Sequence, residues 1–550
     1  MTPSLRVLAL SLLALSAAAR AADQDPYFPK PAYFRKYFAR VVTKVELEPP
    51  VHLEDYLVEG KLELSLKAYL DLVMANNPNI SLQRLSVVTS QDAITRAFGQ
   101  FDPTATASFQ ATRTKTETTN ATQGAATLNT LSQPLTFGVA QTLETGTQYN
   151  VSFSDFKTSS NSLFATVNPA YNSTLSFSVS QPLLRGRGAY ITKLPLMIAR
   201  GNLRQAQFSL EDNVTQLVMG SEQAYWAVVG ARENVRVAES SLKLADEALK
   251  RAEKELQLGA SSPLDIFQPQ QTKANAELAL TQVRYSLAGA EDALRTQIGA
   301  DLSLKFRNLP VVLTEPLTPP PAVELEREQL VETALSRRRD VAALRQALAV
   351  DDLQLTQAND QMRPALSLGA QYVTAGTGGN VIELGNVFAG GPQSVTIIPG
   401  GVSDALRQLF GFGLPTYGFS LNLSLPIKNH TAQANLADQT VAKKMDALRL
   451  RISEQNVRLA VVQAYSNVES SRASVALARI ALGFAQKRVD AEQKKYDLGT
   501  EQIFFVLTAQ ADLTTAESAL VTQMINFRLN QIALLRAMGT LLDERGIAIQ

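Results

Sequence analysis

Few residues in this chain are equipped for chemistry. Its 550 residues include two histidines, His52 and His430, and no cysteine. Without cysteine there is no disulfide, no thiolate metal site, no cysteine nucleophile and no lipidated N-terminal cysteine. The histidines read as surface or linker residues, not as an acid–base pair. A His-Glu-x-x-His zinc helix, a Gly-x-Ser-x-Gly nucleophile turn and a phosphate loop with its lysine are all absent. Arg337-Arg338-Arg339 reads as a solvated helix end, and Gly376-Thr-Gly-Gly as a flexible polar loop. The sequence therefore predicts no enzyme, no cofactor and no metal site. A formal net charge of +1 leaves no footprint for nucleic acid.

What the residues do offer is pattern. The start, MTPSLRVLALSLLALSAAARAAD, has a basic residue, a largely apolar run and small residues at Ala19 and Ala21. It reads as an export signal over residues 1–21. Beyond it no apolar run is long enough for a transmembrane helix. A membrane crossing would then require a closed β-barrel, the other fold that satisfies every backbone group in lipid.

The chain repeats itself. Ala224-Tyr225, Leu258-Gly259 and Ile298-Gly299 are followed by Ala464-Tyr465, Leu498-Gly499 and Met538-Gly539, each 240 positions later. Pro78 precedes Pro103 by 25 positions, and Arg339 precedes Pro364 by the same interval. Fixed intervals predict two tandem copies, residues 64–300 and 322–541. A proline-rich linker, 301–321, joins them. An N-terminal extension, 22–63, rich in Tyr and Phe, precedes them as a packed strap, and 542–550 form a tail.

Each copy reads as short helix, strands, long helix, turn, long helix. Leu175, Phe177 and Val179 alternate with Ser and Thr, and the same period of two marks strands near 104–112, 135–143, 147–156, 173–182, 365–374 and 417–425. One face is apolar, the other Ser, Thr, Asn and Gln. A tight turn at 143–147 contrasts with long polar segments at 113–133, 157–171 and 374–416, the pattern of an outer-membrane barrel. Six strands are too few to close one, which predicts several chains sharing a barrel. In the helices, Leu210, Val214, Leu217, Ser221, Ala224 and Val228 open a seam of alternating four- and three-residue steps. Val457, Val461, Ala464, Val468, Ser471 and Val475 repeat it. Gly259 and Gly499 close the long helices, with hairpin tips near 258–263 and 498–502.

In their order and duplication, NNPNI and RRDV after the first helices, SQPLLRGRG and LSLPIKN after the returning strands, and LQLGASSPLDIF and YDLGTEQIFFVL at the tips resemble the TolC-type outer-membrane efflux protein family. The resemblance covers nearly the whole mature chain. It implies a homotrimer of mixed α and β class: an outer-membrane β-barrel in lipid, continued by a long periplasmic α-helical coiled-coil barrel. It implies a passive conduit of a tripartite efflux or type I secretion system, gated at its periplasmic tips. The implied partners are a periplasmic adaptor and an inner-membrane transporter. Carried over by position, adaptor contact falls on Leu258, Gly259, Leu498, Gly499 and Thr500, and a closed-state latch on Asp265 and Tyr496. Two departures stand out. Glu501 occupies a position where a basic residue would strengthen the latch, and would repel Asp265. The pore-narrowing acidic positions map to Phe505 and Thr508, which points to an apolar constriction at Phe504 or Phe505. The strand pair near 135–155 is additional, placed either to widen the barrel or to sit above or against it. A periplasmic coiled-coil adaptor is the competing reading, but it would lack two-faced strands. The cargo is open: antibiotics, metal ions, proteins and polysaccharide all remain.

Overall fold

The computed structural model describes residues 51–118, 125–259, 262–317, 326–384 and 395–549. The export signal, residues 22–50 with their Tyr and Phe cluster, and linker residues 318–325 lie outside the described residues.

Three tiers follow from three residue patterns. The first is a sheet of two-faced strands: β3 (Thr104–Phe109), β4 (Thr112–Glu117), β5 (Thr127–Thr142), β6 (Gln148–Ser160), β7 (Val167–Pro182), β9 (Ala365–Leu384), β10 (Val395–Ile398) and β11 (Pro415–Ser424). Every pairing is antiparallel, running β3 and β4 on β5, then β6, β7 and β9, with β11 and β10 on the far edge of β9. The additional pair, β5 and β6, is therefore integral to the sheet. The segments expected as long polar loops are in large part strand. Backbone hydrogen bonding needs no apolar side chain, so Thr-, Ser- and Gly-rich extensions stay paired where the apolar alternation has ended.

The second tier is helical. Two helices dominate: α4 (Leu194–Gln257), about 96 Å long, and α9 (His430–Asp497), about 102 Å at 1.5 Å per residue. Their partners are α2 (Pro78–Phe98), α5 (Phe267–Gln297), α7 (Arg339–Gln361) and α10 (Ile503–Met538). Nearest the sheet the packing order is α2–α4–α7–α9; toward the tips it is α5–α4–α10–α9. The seam residues do the packing: Val457, Val461, Ala464, Val468, Ser471 and Val475 are all buried. Two small residues set close approaches. A Cβ on Gly201 would lie 2.5 Å from Val350 Cγ2, and one on Gly230 would lie 3.0 Å from Ile525.

The third tier is a belt around the middle of the helices. β1 (Leu57–Val58), β2 (Lys61–Leu64) and β8 (Val311–Leu313) form a small sheet, with β2 parallel to β8. With α1 (Leu66–Asn76) they enclose the largest apolar core, in which the Tyr225 ring meets Tyr69 at a tilt and Trp226 edge-to-face, both at 5.6 Å between centroids. Residues expected as plain extension and linker thus supply strands, because Leu62, Leu64 and Val311 are buried between long helices. The short helix α11 (Leu541–Arg545) closes the belt: Arg545 forks onto Glu222 at 2.5 and 2.9 Å, and Glu222 is fully buried.

The repeated sequence marks sit at matching places. Asn77 ends α1, caps α2 by accepting from the Asn79 amide at 3.0 Å, and donates to the Gln297 carbonyl. Arg338 stands between α6 (Arg327–Arg337) and α7, chelating Asp340 at 2.7 and 3.0 Å. Gly299 and Gly539 have φ of 68° and 72°, and Gly259 and Gly499 have 71° and 73°. These left-handed values favour glycine at all four helix ends.

Candidate functional site

The sheet presents two different faces. One row across all six strand positions reads Ala105, Val139, Val151, Phe177, Tyr372 and Tyr417. The row beside it on the other face reads Thr104, Ala140, Asn150, Ser178, Gln371 and Gly418. The polar row lines one concavity of about 840 Å³ that reaches from β3 to β11. The apolar face is therefore the convex one, with Phe137, Phe177 and Leu368 exposed on it.

Gly376 and Gly378 lie on the convex face of β9. They do not form the flexible loop expected from sequence. A Cβ on Gly376 would stand 2.0 Å from the Ala405 carbonyl oxygen, and one on Gly378 would stand 2.3 Å from that of Gly401. The glycines are a notch into which a short helix, α8 (Val402–Phe410), is pressed backbone to backbone. Asp404 starts that helix by accepting from the Gly401 amide at 2.9 Å, and Ala405 and Leu409 are buried beneath it.

The far ends of the long helices form the second part of the site. Leu258, 82% exposed, and Leu498, 79% exposed, are carried outward on the αL turns of Gly259 and Gly499. The Thr500 amide and hydroxyl both donate to the Lys495 carbonyl, at 3.0 and 2.9 Å. Asp265 accepts from the Ser262 amide at 3.0 Å and so braces its own turn. Tyr496 takes a different partner, donating to Glu255 at 2.6 Å. The Tyr496–Asp265 pairing expected from sequence is not what the structure forms. Glu501 lies 3.9 Å from the Lys495 ammonium.

Glu255 belongs to a small lock that sequence reasoning missed. Arg251, one turn before it on α4, pairs with Asp497 on α9 at 3.0 Å and lies 5.8 Å from the centre of the Tyr496 ring. Partial burial, and the charge of Glu255, push the Tyr496 hydroxyl well above its ordinary pKa, so it stays a donor at any physiological pH. The lock joins the two hairpins directly. Within the first hairpin, Lys250 and Lys273 hold Asp246 at 2.6 and 2.7 Å, and in that order push its carboxyl down to about 2. Phe504 and Phe505 begin α10 as an exposed edge-to-face pair at 5.5 Å, and the Thr508 hydroxyl donates back to the Phe504 carbonyl.

His52 meets Asp55 at 3.0 Å in the open, and His430 is exposed at the start of α9. Arg337, Arg338 and Arg339 are each paired with a carboxylate, on Asp543, Asp340 and Glu211. No cluster of metal-ligating side chains occurs among the described residues.

A sheet with a lipid-type convex face and a wet concave face thus stands on helices of about 100 Å, whose tips are locked to one another. The outer membrane efflux protein family model matches residues 192–300 and 330–540. The chain belongs to the outer membrane efflux protein family. Its place is the outer membrane, with the helices extending into the periplasm. The toluene efflux pump outer membrane protein TtgC of Pseudomonas putida is 21% identical over 381 residues, 68% of this chain and 70% of TtgC. The pyoverdine export outer membrane protein OpmQ of Pseudomonas aeruginosa is 23% identical over 347 residues, 62% of this chain and 64% of OpmQ. Among solved structures, CusC superposes with a TM-score of 0.61 at 17% identity, covering 90% of this chain and 98% of CusC.

Proposed function

We propose that this efflux-family chain is the outer-membrane duct of a tripartite efflux or type I secretion system, a passive conduit from periplasm to exterior that opens at its helical tips. The observation that carries the reading is the join of sheet to helix. Two of the two-faced strands, β7 and β11, lead after a short connection into α4 and α9, helices too long for any compact domain. A wall in lipid resting on a tube across an aqueous gap accounts for both.

Three copies would make the tube, each built from two tandem repeats. The paired αL glycines and matching helix breaks support the repeats. Exposed apolar stripes support the assembly. On α9, Val441, Met445, Leu448, Ile452 and Leu459 follow the 3.5-residue period, are exposed, and lie off the buried seam. On α2, Leu82, Leu85 and Val88 are exposed likewise. Leu258, Gly259, Leu498, Gly499 and Thr500 would meet a periplasmic adaptor, and an inner-membrane transporter would supply the energy. Phe504 and Phe505, with Thr508, would narrow the entrance. The gate itself is read here as the Arg251–Asp497 and Tyr496–Glu255 lock, with Asp265 holding the first tip in shape.

Single-channel recording in planar bilayers tests this. The unmodified protein should conduct weakly, and Tyr496→Phe with Arg251→Ala should raise the mean open conductance several-fold. Unchanged conductance in the double variant would remove the lock from the gate, and no conductance from either protein would remove the duct.

A further inference from the structure

The convex face of the sheet changes character along its strands. On β9 its successive rows are Leu366, Leu368, Ala370, Tyr372 and Thr374, counted away from the helices. The neighbouring strands continue these rows without a charge; that of Thr374, for instance, runs through Leu175, Phe153 and Phe137. The steps from Leu366 to Thr374, at about 3.4 Å each and a tilt of about 40°, rise about 21 Å, close to the ~25 Å apolar band of an outer-membrane strand.

Charge begins where that band ends. On the next rows Asp155 stands opposite Ser173 and Lys157 opposite Tyr171. Farther along the same face Arg113 stands opposite Leu131, and Lys115 opposite Asn129. Asp155 is occupied, accepting from the Ser173 hydroxyl at 2.6 Å. The three cations are not: Arg113, Lys115 and Lys157 form no ion pair among the described residues, and Lys157 only lies over the Tyr171 ring, 5.6 Å from its centre. The cations of the Arg337–Arg339 triple, by contrast, each have a carboxylate. Glu117 follows one row past Lys115. The helix α8 lies at the same level, because Gly376 and Gly378, on which it rests, share rows with Asp155 and Lys157. Outward it shows the Arg407 side chain, 82% exposed and no nearer than 3.8 Å to Asp404, and Phe410, 61% exposed. A cation beside an exposed aromatic ring is what a short helix presents at a membrane surface.

We propose that this basic lip binds the phosphorylated headgroup of a sugar-based lipid in the outer leaflet, with Arg113, Lys115 and Lys157 on its phosphates and its acyl chains on the apolar rows below. The proposal rests on the orientation of the duct read above, which puts the lip at the outer end of the hydrocarbon. Two arguments select the occupant. Unpaired cations bordering an apolar band complement an anion that carries hydrocarbon with it, and guanidinium and ammonium groups are matched to phosphate. Arg113 and Lys157 also stand two strands and one row apart, about 12 Å between their backbones. That spread suits two phosphates borne on a disaccharide better than one phosphodiester. α8 then lies in the headgroup layer as a flank to the bound lipid, which gives the glycine notch a purpose.

Titration of the full chain in an uncharged detergent, read by native mass spectrometry, tests this. The probes are bis-phosphorylated lipid A, the same lipid with both phosphates removed, and inorganic phosphate. The phosphorylated lipid should bind at least about tenfold more tightly than the dephosphorylated one. Arg113→Gln with Lys115→Gln and Lys157→Gln should erase that preference, whereas Arg113→Lys with Lys157→Arg, which keeps the charge, should retain most of it. Removing three exposed cations from α9, by Lys444→Gln, Arg451→Gln and Arg479→Gln, should leave it intact. Equal binding of the two lipids by the unmodified protein would overturn the proposal whether or not any variant folds. A preference that survives the triple Gln variant would overturn it as well, and so would displacement of the lipid by millimolar inorganic phosphate, the mark of a site for soluble anions. A protein that conducts but shows no preference would sink this proposal and leave the duct standing. The preference in a protein that does not conduct would uphold the lip and remove the duct.

Discussion

At the scale of single residues, the belt rests on one buried charge. Glu222 is fully enclosed and held by the fork of Arg545, with the Arg528 guanidinium close enough to feel its charge. Removing one partner of a buried pair leaves an uncompensated charge and costs about 3–5 kcal/mol. Arg545→Ala should therefore lower the denaturation midpoint sharply in detergent, while Glu222→Gln with Arg545→Met should recover most of the loss. Asp351 on α7 is the opposite case. Its Oδ2 is buried without a hydrogen-bond partner. Burial first, and then the facing Asp446 of α9 with neighbouring Asp352, raise its pKa, opposed by Lys443. A raised carboxyl pKa means that the folded chain binds the extra proton, so stability falls as pH rises from the ordinary carboxylate range through the raised value. Asp351→Asn should accordingly be more stable than the unmodified protein at pH 7, with the gap closing near pH 4. Equal melting curves at pH 7 would refute this.

At the scale of elements, periodicity was readable and mutual orientation was not. The heptad steps from Val457 to Val475 name the residues that α9 buries, and strict alternation names the two faces of β7 and β11. Both signals are local repeats of backbone geometry. The strand extensions beyond Phe156 and Thr374 have no such alternation, so their pairing shows only in the hydrogen bonds. Glu255 and Arg251 escaped notice for another reason. Their partners sit 241 and 246 positions away, and only the relative rotation of two long hairpins brings them together. Gly376 and Gly378 were misread because a run of glycines looks alike whether it frees a backbone or admits another one. The distinction is testable. Gly376→Val places a side chain where the Ala405 carbonyl stands, and should expel α8. Limited proteolysis from the outside should then cut within residues 402–412 and leave the unmodified protein whole there. Unaltered resistance would mean that the helix does not depend on the notch.

At the scale of the whole molecule, three tiers divide the work. The sheet provides an apolar convex face for lipid, the belt clamps the long helices at mid-length, and the tips carry the lock. Each tier is matched to its solvent. The convex rows are Val, Phe and Tyr; the tips are ion pairs, which weaken with salt where they are exposed. The lock should accordingly loosen as ionic strength rises, with open probability in bilayers increasing between 0.1 and 1 M salt, and much less so in Arg251→Ala. The account's central claim is orientation: sheet in the outer membrane, tips beneath it. Labelling of single cysteines with a membrane-impermeant maleimide measures this most directly, using Leu163→Cys at the exposed β6–β7 turn and Leu258→Cys at the first tip. Leu163→Cys should label in intact cells, and Leu258→Cys only after the outer membrane is permeabilised. Labelling of Leu258→Cys in intact cells, with Leu163→Cys protected, would contradict the account.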